Sequence, residues 1–343
     1  MKNHKILCIL ILAVLCSAYG FSSGMTEETS DNSNTLTVYA YDSFVSEWGP
    51  APLIIPKFEE KTGIDVQIIS AGSGGELLTR LELEKNSPRA DVVVGISSEL
   101  LSKTLESDLL TPYDSPVLSE IPDYIKFDET NTLLPFNFGA YSFNYDSEVL
   151  TDIPRSLDDL LDSRYENSII IMDPRTSSVG MGLLEWTVYE YGDDYLTWWE
   201  NIKDNLLTIA DGWSSAYGLY TEGEAPIVLS YTTSPVYHIM WEQTDRYKAT
   251  SFDKGNYVAI EGVGILKSTK NIKGAQAFVD FLLSEAQSDI AVTNIMYPAN
   301  MNTELPEAFN HLDPVTSTLS LDSDTIRDNR DTWVEQWVEV MSR

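Results

Sequence analysis

Clusters of small hydroxyl and aromatic residues are the part of this chain best suited to binding chemistry. Asp-Pro-Arg-Thr-Ser-Ser at 173–178 follows an apolar strand, and Ser-Tyr-Thr-Thr-Ser-Pro at 230–235 follows another. Gly-Trp-Ser-Ser-Ala-Tyr-Gly lies between them at 212–218, and Ala-Gly-Ser-Gly-Gly at 71–75 opens an earlier helix. Hydroxyls and backbone N–H groups at helix starts bind anions, whereas aromatic faces bind flat or cationic rings. The clusters predict a cleft for a small molecule with both features.

The turn at 173–178 places Thr176, Ser177 and Ser178 at the start of the next helix. Backbone N–H groups there lack partners within the helix, and the helix dipole favours an anion. Arg175 would add positive charge to such a site. Ordinary N-capping by Asp173 or Ser177 explains the same residues, so this turn alone leaves both interpretations open.

The glycine-rich loop Gly72-Ser73-Gly74-Gly75 could hold a phosphate through its backbone alone. It lacks the Gly-Lys-Ser/Thr of a P-loop, so nucleotide hydrolysis is not indicated. A plain turn between a strand and a helix accounts for the loop equally well.

Several aromatic residues near these clusters could build a slot for a ring, although core packing is the commoner role for any one of them. The slot would use Tyr41, Trp48, Trp213, Tyr217, Tyr231 and Tyr237. The hydroxyl clusters next to Trp213 and Tyr231 favour a binding role for these two residues.

Residue types that support catalysis are scarce. Gly212-x-Ser214 resembles a nucleophile elbow, but Ala216 replaces the closing glycine. Outside the first 20 residues the chain has no cysteine, and its histidines are His238 and His311. Thiol catalysis and disulfides are therefore excluded there, and a zinc or iron site is disfavoured. Asp-x-Asp at 322–324 lacks the turn glycine of a calcium loop, which favours helix capping.

The N-terminus has the pattern of a secretory signal peptide over 1–20, with a basic start, an apolar run at 6–16 and the small-residue exit Ala18-Tyr19-Gly20. We expect cleavage near Gly20. A permanent anchor and a lipoprotein attached through Cys16 are the alternatives, and Leu15 fits the lipoprotein pattern poorly. Residues 21–34 form an acidic tether between this segment and the fold.

The chain is strongly acidic, with 53 Asp and Glu against 22 Lys and Arg and a net charge of −31. Such a surface repels nucleic acid and anionic lipid, so we expect no nucleic-acid partner. The acidity either maintains solubility in a saline habitat or steers a cationic ligand into the cleft.

Alternating strands and helices predict two α/β lobes with parallel sheets. The first series has strands at 35–41, 65–70 and 91–95 and helices at 50–61, 76–85 and 98–106. The second has strands at 168–172, 206–210 and 227–229 and helices at 157–162, 180–191 and 194–204. Aromatic-rich strands at 133–145 and a return strand at 257–266 cross between the lobes, followed by helices at 272–283 and 322–341. Lobe 1 then comprises 35–137 and 255–343, lobe 2 comprises 138–254, and the crossing strands form a hinge beside a ligand cleft.

Eight motifs, spread over nearly the whole chain after the signal segment, resemble the thiamine-binding subunits of bacterial thiamine ABC importers. They are Tyr-Ala-Tyr-Asp-Ser-Phe at 39–44, Trp-Gly-Pro at 48–50, Asp-Pro-Arg-Thr-Ser at 173–177, Gly-Trp-Ser at 212–214, Ala-Tyr-Gly at 216–218, Leu-Ser-Tyr-Thr-Thr-Ser-Pro at 229–235, Tyr-His at 237–238 and Met-Tyr-Pro at 296–298.

The resemblance implies a bilobal periplasmic-binding-protein fold and no enzymatic activity. It implies capture of thiamine, thiamine monophosphate or thiamine diphosphate by an exported monomer that needs no cofactor, and delivery to a membrane permease with its ATPase. The positions that fall where this family holds ligand are Ser73, Gly74, Ser177, Ser178, Trp213, Tyr231, Thr232, Thr233 and Ser234, with Tyr41 and Tyr237 as ring-packing positions.

Three residues depart from the family pattern. Ile295 stands where tryptophan commonly precedes Met-Tyr-Pro, Ser73 where an acid is usual, and Asn137 where aspartate is usual. These changes would remove an aromatic wall and weaken attraction to a cation, or favour a more phosphorylated ligand. Iron or a polyamine on the same fold, a thiamine-degrading enzyme, and a ligand-presenting partner of a membrane receptor are the other hypotheses.

Overall fold

The computed structural model describes residues 34–313 and 317–343. The predicted signal peptide at 1–20 and all but the last residue of the tether at 21–34 lie outside these residues. In the described part of the chain, no helix combines the length and apolar character needed to cross a bilayer.

The strands and helices follow the order that the sequence predicts, with several short additions. The strands are β1 (Thr35–Ala40), β2 (Asp65–Ser70), β3 (Val92–Ser97), β4 (Leu110–Thr111), β5 (Leu134–Asp146), β6 (Ile169–Met172), β7 (Leu206–Ala210), β8 (Ile227–Tyr231), β9 (Tyr247–Ala249), β10 (Asn256–Leu266), β11 (Tyr297–Pro298) and β12 (Thr318–Leu319). The helices are α1 (Asp42–Val45), α2 (Ala51–Thr62), α3 (Gly74–Leu83), α4 (Leu101–Ser107), α5 (Ser178–Tyr191), α6 (Tyr195–Ile202), α7 (Trp213–Thr221), α8 (Pro235–Tyr237), α9 (Ile272–Leu283), α10 (Gln287–Asn294) and α11 (Ser323–Met341). The helix predicted at 157–162 is a single 3₁₀ turn, Asp159–Leu161.

The described strands join in one mixed sheet, in the order β2-β1-β3-β10-β5-β8-β6-β7. β1 pairs in parallel with β2 and β3, and β6 pairs in parallel with β7 and β8. Between these parallel blocks, β5 and β10 run antiparallel to their neighbours. The parallel blocks are the βα units that the sequence predicts, and the antiparallel pair connects them.

The two connecting strands are long and buried. β5 pairs with β10 along 134–140 and with β8 along 141–145, so that one strand belongs to both blocks. β10 pairs with β3 through 261–265 and with β5 through 258–263. These two strands are the predicted hinge crossings at 133–145 and 257–266.

Two main apolar cores flank the connecting strands. The first packs α2 and α9 on β1 and β3, with Phe58 and Phe278 in edge contact at 5.1 Å. The second packs α5 and α6 on β6 and β8. Helix α11 belongs to this second core, where Trp337 meets Trp199 edge-on at 5.7 Å. The sequence predicts that 255–343 belongs to lobe 1. Within that range the tryptophans of α11 pack in the second core, while the start of α11 contacts Ser102 of α4.

Two buried acids lie beside the connecting strands. Tyr141 of β5 donates to Glu99, and the Tyr257 hydroxyl of β10 donates to Glu185 of α5 at 3.0 Å. The second carboxyl oxygen of each acid is buried with no hydrogen-bond partner among the described residues. Burial therefore raises the pKa of Glu185 well above its ordinary value, and it raises that of Glu99 as well.

We expect Glu185→Gln to stabilise the protein at pH 8 by about 1–2 kcal/mol relative to wild type, and by much less at pH 5. The pKa of Glu185 is higher in the folded protein than in the unfolded chain, so the unfolded chain loses this proton first as pH rises. Wild type therefore loses stability between the two pKa values. Urea unfolding at the two pH values measures the difference, with the surface change Glu200→Gln as control. The same gain at both pH values would contradict the argument.

Candidate ligand-binding site

Three helices begin at one cavity of about 310 Å³, and its walls include residues from all three helix starts. Ser73 is the N-cap of α3, Ser177 of α5 and Gly212 of α7. Each start directs unpaired backbone N–H groups and the positive end of a helix dipole toward the same space. The volume is typical of a small-molecule site. The arrangement can hold an anionic group without a dedicated lysine or arginine.

The glycine loop and the turn before α5 touch across this cavity. The Ser73 hydroxyl donates to the Thr176 carbonyl. A Cβ on Gly75 would lie 2.7 Å from that carbonyl oxygen, and one on Gly74 would lie 3.1 Å from Ser178 Oγ. Glycine is required here because the two backbones approach so closely. Contact between the two turns encloses one side of the site.

The N-capping interpretation of the two helix starts is confirmed, and the same serines border the cavity. Ser177 Oγ accepts from the Gly180 N–H at 3.4 Å, which is ordinary N-capping, and Ser177 also lines the cavity. Ser73 forms a capping box, its backbone N–H donating to Glu76 Oε2 at 2.9 Å. Capping therefore engages both serine side chains, so an anion here would be bound largely through backbone N–H groups.

Arg175 does not supply the positive charge that the sequence suggested for this site. Its Nε donates to Asp173 Oδ1 at 2.9 Å, and its guanidinium lies 5.9 Å from the Trp337 ring. Arg175 is absent from the described cavity lining. The side chain turns away because the aspartate two residues earlier holds it.

An aromatic wall forms at the start of α7. The Trp213 ring stacks on Tyr217 with centroids 4.8 Å apart and planes 19° apart, and Trp48 lies 6.1 Å from Trp213 across the cavity. Trp213 Nε1 donates to Ser230 Oγ at 2.8 Å, and Ser230 contacts Ser234 Oγ at 2.8 Å. The serines of the 230–235 cluster thus fix the indole, which lines the cavity.

A half-buried carboxylate that the sequence did not point to also lines the cavity. Glu261 Oε2 accepts from Tyr41 Oη at 2.9 Å, Asn137 Nδ2 at 2.7 Å and Asn294 Nδ2 at 3.3 Å. Burial raises the Glu261 pKa, and these donors oppose the rise. The available signal was an acid interrupting the apolar run of β10, Ile260-Glu261-Gly262.

Asn137, one of the three departures, orients this acid. Its amide donates to Glu261, so the aspartate usual at that position is replaced by a donor to another carboxylate. One acid of the site therefore comes from β10. Asp42 and Glu242 also line the cavity.

Most of the predicted site residues meet in this cavity. Those in its lining are Tyr41, Ser73, Gly74, Ser177, Ser178, Trp213, Tyr231, Ser234 and Tyr237. Thr232 and Thr233 lie elsewhere: the Thr232 backbone N–H donates to Ala140 at 2.9 Å, and the Thr233 hydroxyl donates to Met296 Sδ at 3.7 Å. Both side chains are buried in the turn after β8 and are absent from the described cavity lining.

Ile295, the second departure, lies in the cavity lining with φ of +54°. A β-branched residue is rarely found in this left-handed conformation. It ends α10 and packs with Val236 and Phe309 in a small separate core. The position keeps an apolar wall without contributing an aromatic face.

The chain has two parallel βα blocks joined by a pair of buried strands, and a polar and aromatic cavity lies among its helix starts. These features define the class of two-lobed solute-binding proteins. A sequence profile of the bacterial extracellular solute-binding protein family matches residues 87–329. The chain belongs to this family.

Similar proteins agree with that assignment. A thiamine-binding periplasmic protein of Brucella suis is 38% identical over 313 residues, covering 90% of this chain and 93% of the relative. One of Escherichia coli is 36% identical over 335 residues, covering 97% and 98%. A solved periplasmic thiamin binding protein superposes with a TM-score of 0.86 at 36% identity, covering 90% of this chain and 96% of that structure. The predicted resemblance and fold are confirmed, as is the prediction of a binding protein rather than an enzyme.

Proposed function

We propose that this chain captures thiamine, thiamine monophosphate or thiamine diphosphate outside the cytoplasmic membrane and delivers it to an ABC importer. The observation that carries the proposal is that one cavity combines three chemical features. Its lining contains residues of three helix starts, several aromatic rings and the Glu261 carboxylate. The relatives named as thiamine-binding periplasmic proteins support the same ligand.

Each part of the ligand has a matching group. The backbone N–H groups before α3 and α5 suit a phosphate, because unpaired N–H groups at a helix start bind anions. The faces of Trp213 and Tyr231 suit the planar rings, and the thiazolium cation suits an aromatic and anionic surrounding. Binding breaks no bond; the two lobes would close on the ligand by hinge bending at β5 and β10.

Further parts of the proposal concern the mature chain. We place lobe 1 at 35–137 and 255–343, with α11 packed on the second core, and lobe 2 at 138–254. The leader over 1–20 would be removed near Gly20, leaving a monomer in the periplasm that meets the permease and its ATPase. Attachment through Cys16 is the lipoprotein alternative.

A double change, Ser177→Ala with Ser178→Ala, should weaken both phosphorylated forms about tenfold and free thiamine by less. The turn before α5 would lose the N-cap hydroxyl that holds the helix start, with its anion-binding N–H groups, in place, and a second hydroxyl that borders the cavity. Calorimetric titration with each form measures the losses, and Ser168→Ala, outside the described cavity lining, is the matched control. Equal losses for all three forms would refute a phosphate role for this turn.

Thermal unfolding with candidate ligands tests the proposal against other cargoes. A ligand that binds only the native state raises the melting temperature, because it stabilises the folded protein by RT ln(1 + L/Kd), where L is the free ligand concentration. We expect shifts with thiamine and its phosphates and none with spermidine or ferric citrate at the same concentrations. A shift with spermidine alone would assign the acids Asp42, Glu242 and Glu261 to a polyamine, and a shift with iron alone would reassign the cargo to a metal.

A further inference from the structure

One histidine lies directly behind the cavity, although it takes no part in the described lining. His238 is fully buried in the turn His238–Glu242 that follows α8. Its Nε2 lies 2.9 Å from Tyr217 Oη, and its Nδ1 lies 2.7 Å from Glu242 Oε2. Tyr217 and Glu242 both line the cavity. The imidazole therefore links two groups that face the ligand.

The partners fix the protonation of the neutral ring. A carboxylate only accepts hydrogen bonds, so Nδ1 carries the proton and donates to Glu242. The bare Nε2 then accepts from the Tyr217 hydroxyl. Burial lowers the His238 pKa, and the contact with Glu242 opposes this shift. The ring is accordingly neutral at pH 7 and above.

His238 also continues the aromatic wall. Trp213 stacks on Tyr217 at 4.8 Å, Tyr217 lies 5.9 Å from the His238 ring at 25°, and His238 lies 4.1 Å from Tyr247. The imidazole is thus the third ring in a column whose first two members border the ligand. A positive charge on it would lie behind the face offered to a cation.

Protonation would reverse the hydrogen bond to Tyr217, because Nε2 would become a donor and the phenol would have to accept. The Tyr217 hydroxyl has other polar neighbours, namely the Asn144 amide and the Ser234 hydroxyl. Asn144 is fully buried, and both amide atoms lack a hydrogen-bond partner among the described residues. The phenol therefore has polar neighbours other than His238.

Other charged and titratable groups surround this turn. They lie on α7, on the segment of His238 itself, on the β9 segment and on the 3₁₀ turn at 307–311, the last two packed on α8. These groups are Tyr217, Tyr220, Tyr237, Glu242, Arg246, Tyr247, Lys248, Glu307 and His311. Arg246 is paired with Asp146 at 2.7 Å. Glu242 is the anion in hydrogen-bond contact with the ring.

We infer that His238 is a positioning residue for a cationic ligand: its neutral ring holds Tyr217 and Glu242 in their binding arrangement, and its protonation weakens binding. The inference rests on the proposed function, because it requires the ligand to carry a positive charge. By linkage, a bound cation must lower the His238 pKa by the same factor by which protonation lowers affinity.

Calorimetric titration with thiamine from pH 8 to pH 5 tests the inference. We expect wild-type affinity to fall about tenfold more than that of His238→Gln, whose amide retains one donor and one acceptor but cannot become a cation. Titration of thiamine itself and of Glu261 affects both proteins equally and cancels in the comparison. His311→Gln, at an exposed histidine, is the matched control and should follow wild type.

Equal pH dependence in wild type and His238→Gln would overturn the inference while leaving the proposed function intact. No thiamine binding by wild type at pH 8 would overturn both. If the variant does not fold, NMR titration of the His238 ring in wild type decides, with a lower pKa expected when thiamine is saturating. An unchanged His238 pKa would refute the coupling.

Discussion

Trp213→Ala is expected to weaken binding of thiamine and both of its phosphates more than tenfold. The indole is fixed on one side by stacking on Tyr217 at 4.8 Å and at its edge by the 2.8 Å hydrogen bond to Ser230. A ring held in this way loses little entropy when a planar cation stacks on it, and removing it deletes both the stacking and the cation–π attraction. A tenfold loss corresponds to about 1.4 kcal/mol.

Calorimetry with the three forms measures this effect. Trp213→Phe keeps an aromatic face and should recover most of the affinity for each form. Tyr124→Ala removes an exposed aromatic outside the described cavity lining and serves as the control. Unchanged affinity in Trp213→Ala would remove this residue from the site.

Glu261→Gln should reduce thiamine affinity about thirtyfold at pH 7.5, an effect of about 2 kcal/mol. The substitution keeps the shape of the side chain and its ability to accept from Tyr41 and Asn137, but it removes the negative charge. An ion pair in a water-poor cavity is stronger than one at the surface, so its loss has a large effect.

The pH dependence of this variant gives a second measurement. Burial raises the Glu261 pKa, so wild type loses the carboxylate charge, and with it part of its affinity for the cation, at a higher pH than an ordinary glutamate would. The variant has no such loss. Glu222→Gln, at an exposed site, is the control. Wild-type affinity in Glu261→Gln would show that the ligand does not use this charge.

Features set by local sequence were predictable. Glycine and hydroxyl residues in the 71–75 loop and in the Ser177 turn predicted helix starts. Helices α3 and α5 begin at these positions. The long aromatic segment at 133–145 predicted a crossing strand because it lacks a helical period, and β5 spans Leu134–Asp146. Local sequence patterns are sufficient to predict an element when its structure depends on residues close to it in sequence.

Features set by distant partners were not predictable. Glu261 becomes a ligand-facing acid only because Tyr41, Asn137 and Asn294, from three separate segments, hold one of its oxygens. Asp173 holds the Arg175 side chain away from the cavity, and the sequence does not specify the rotamer that makes this contact.

The direction of the side chains after β8 is another tertiary feature. Thr232 and Thr233 carry hydroxyl groups like Ser230, Tyr231 and Ser234 of the same cluster, yet they are absent from the described cavity lining. Residues in a turn have no periodic pattern that would predict the orientation of their side chains. Only the tertiary structure therefore distinguishes the two threonines from Tyr231 and Ser234, which line the cavity.

Calorimetric titration of the refolded, ligand-free mature protein with thiamine, its monophosphate and its diphosphate tests the central claim most directly. We predict submicromolar binding of at least one form, and the order of the three affinities will show how Ile295 and Ser73 set the preference. Failure to bind any of the three would contradict the proposed cargo and would mean that this fold now carries a different solute.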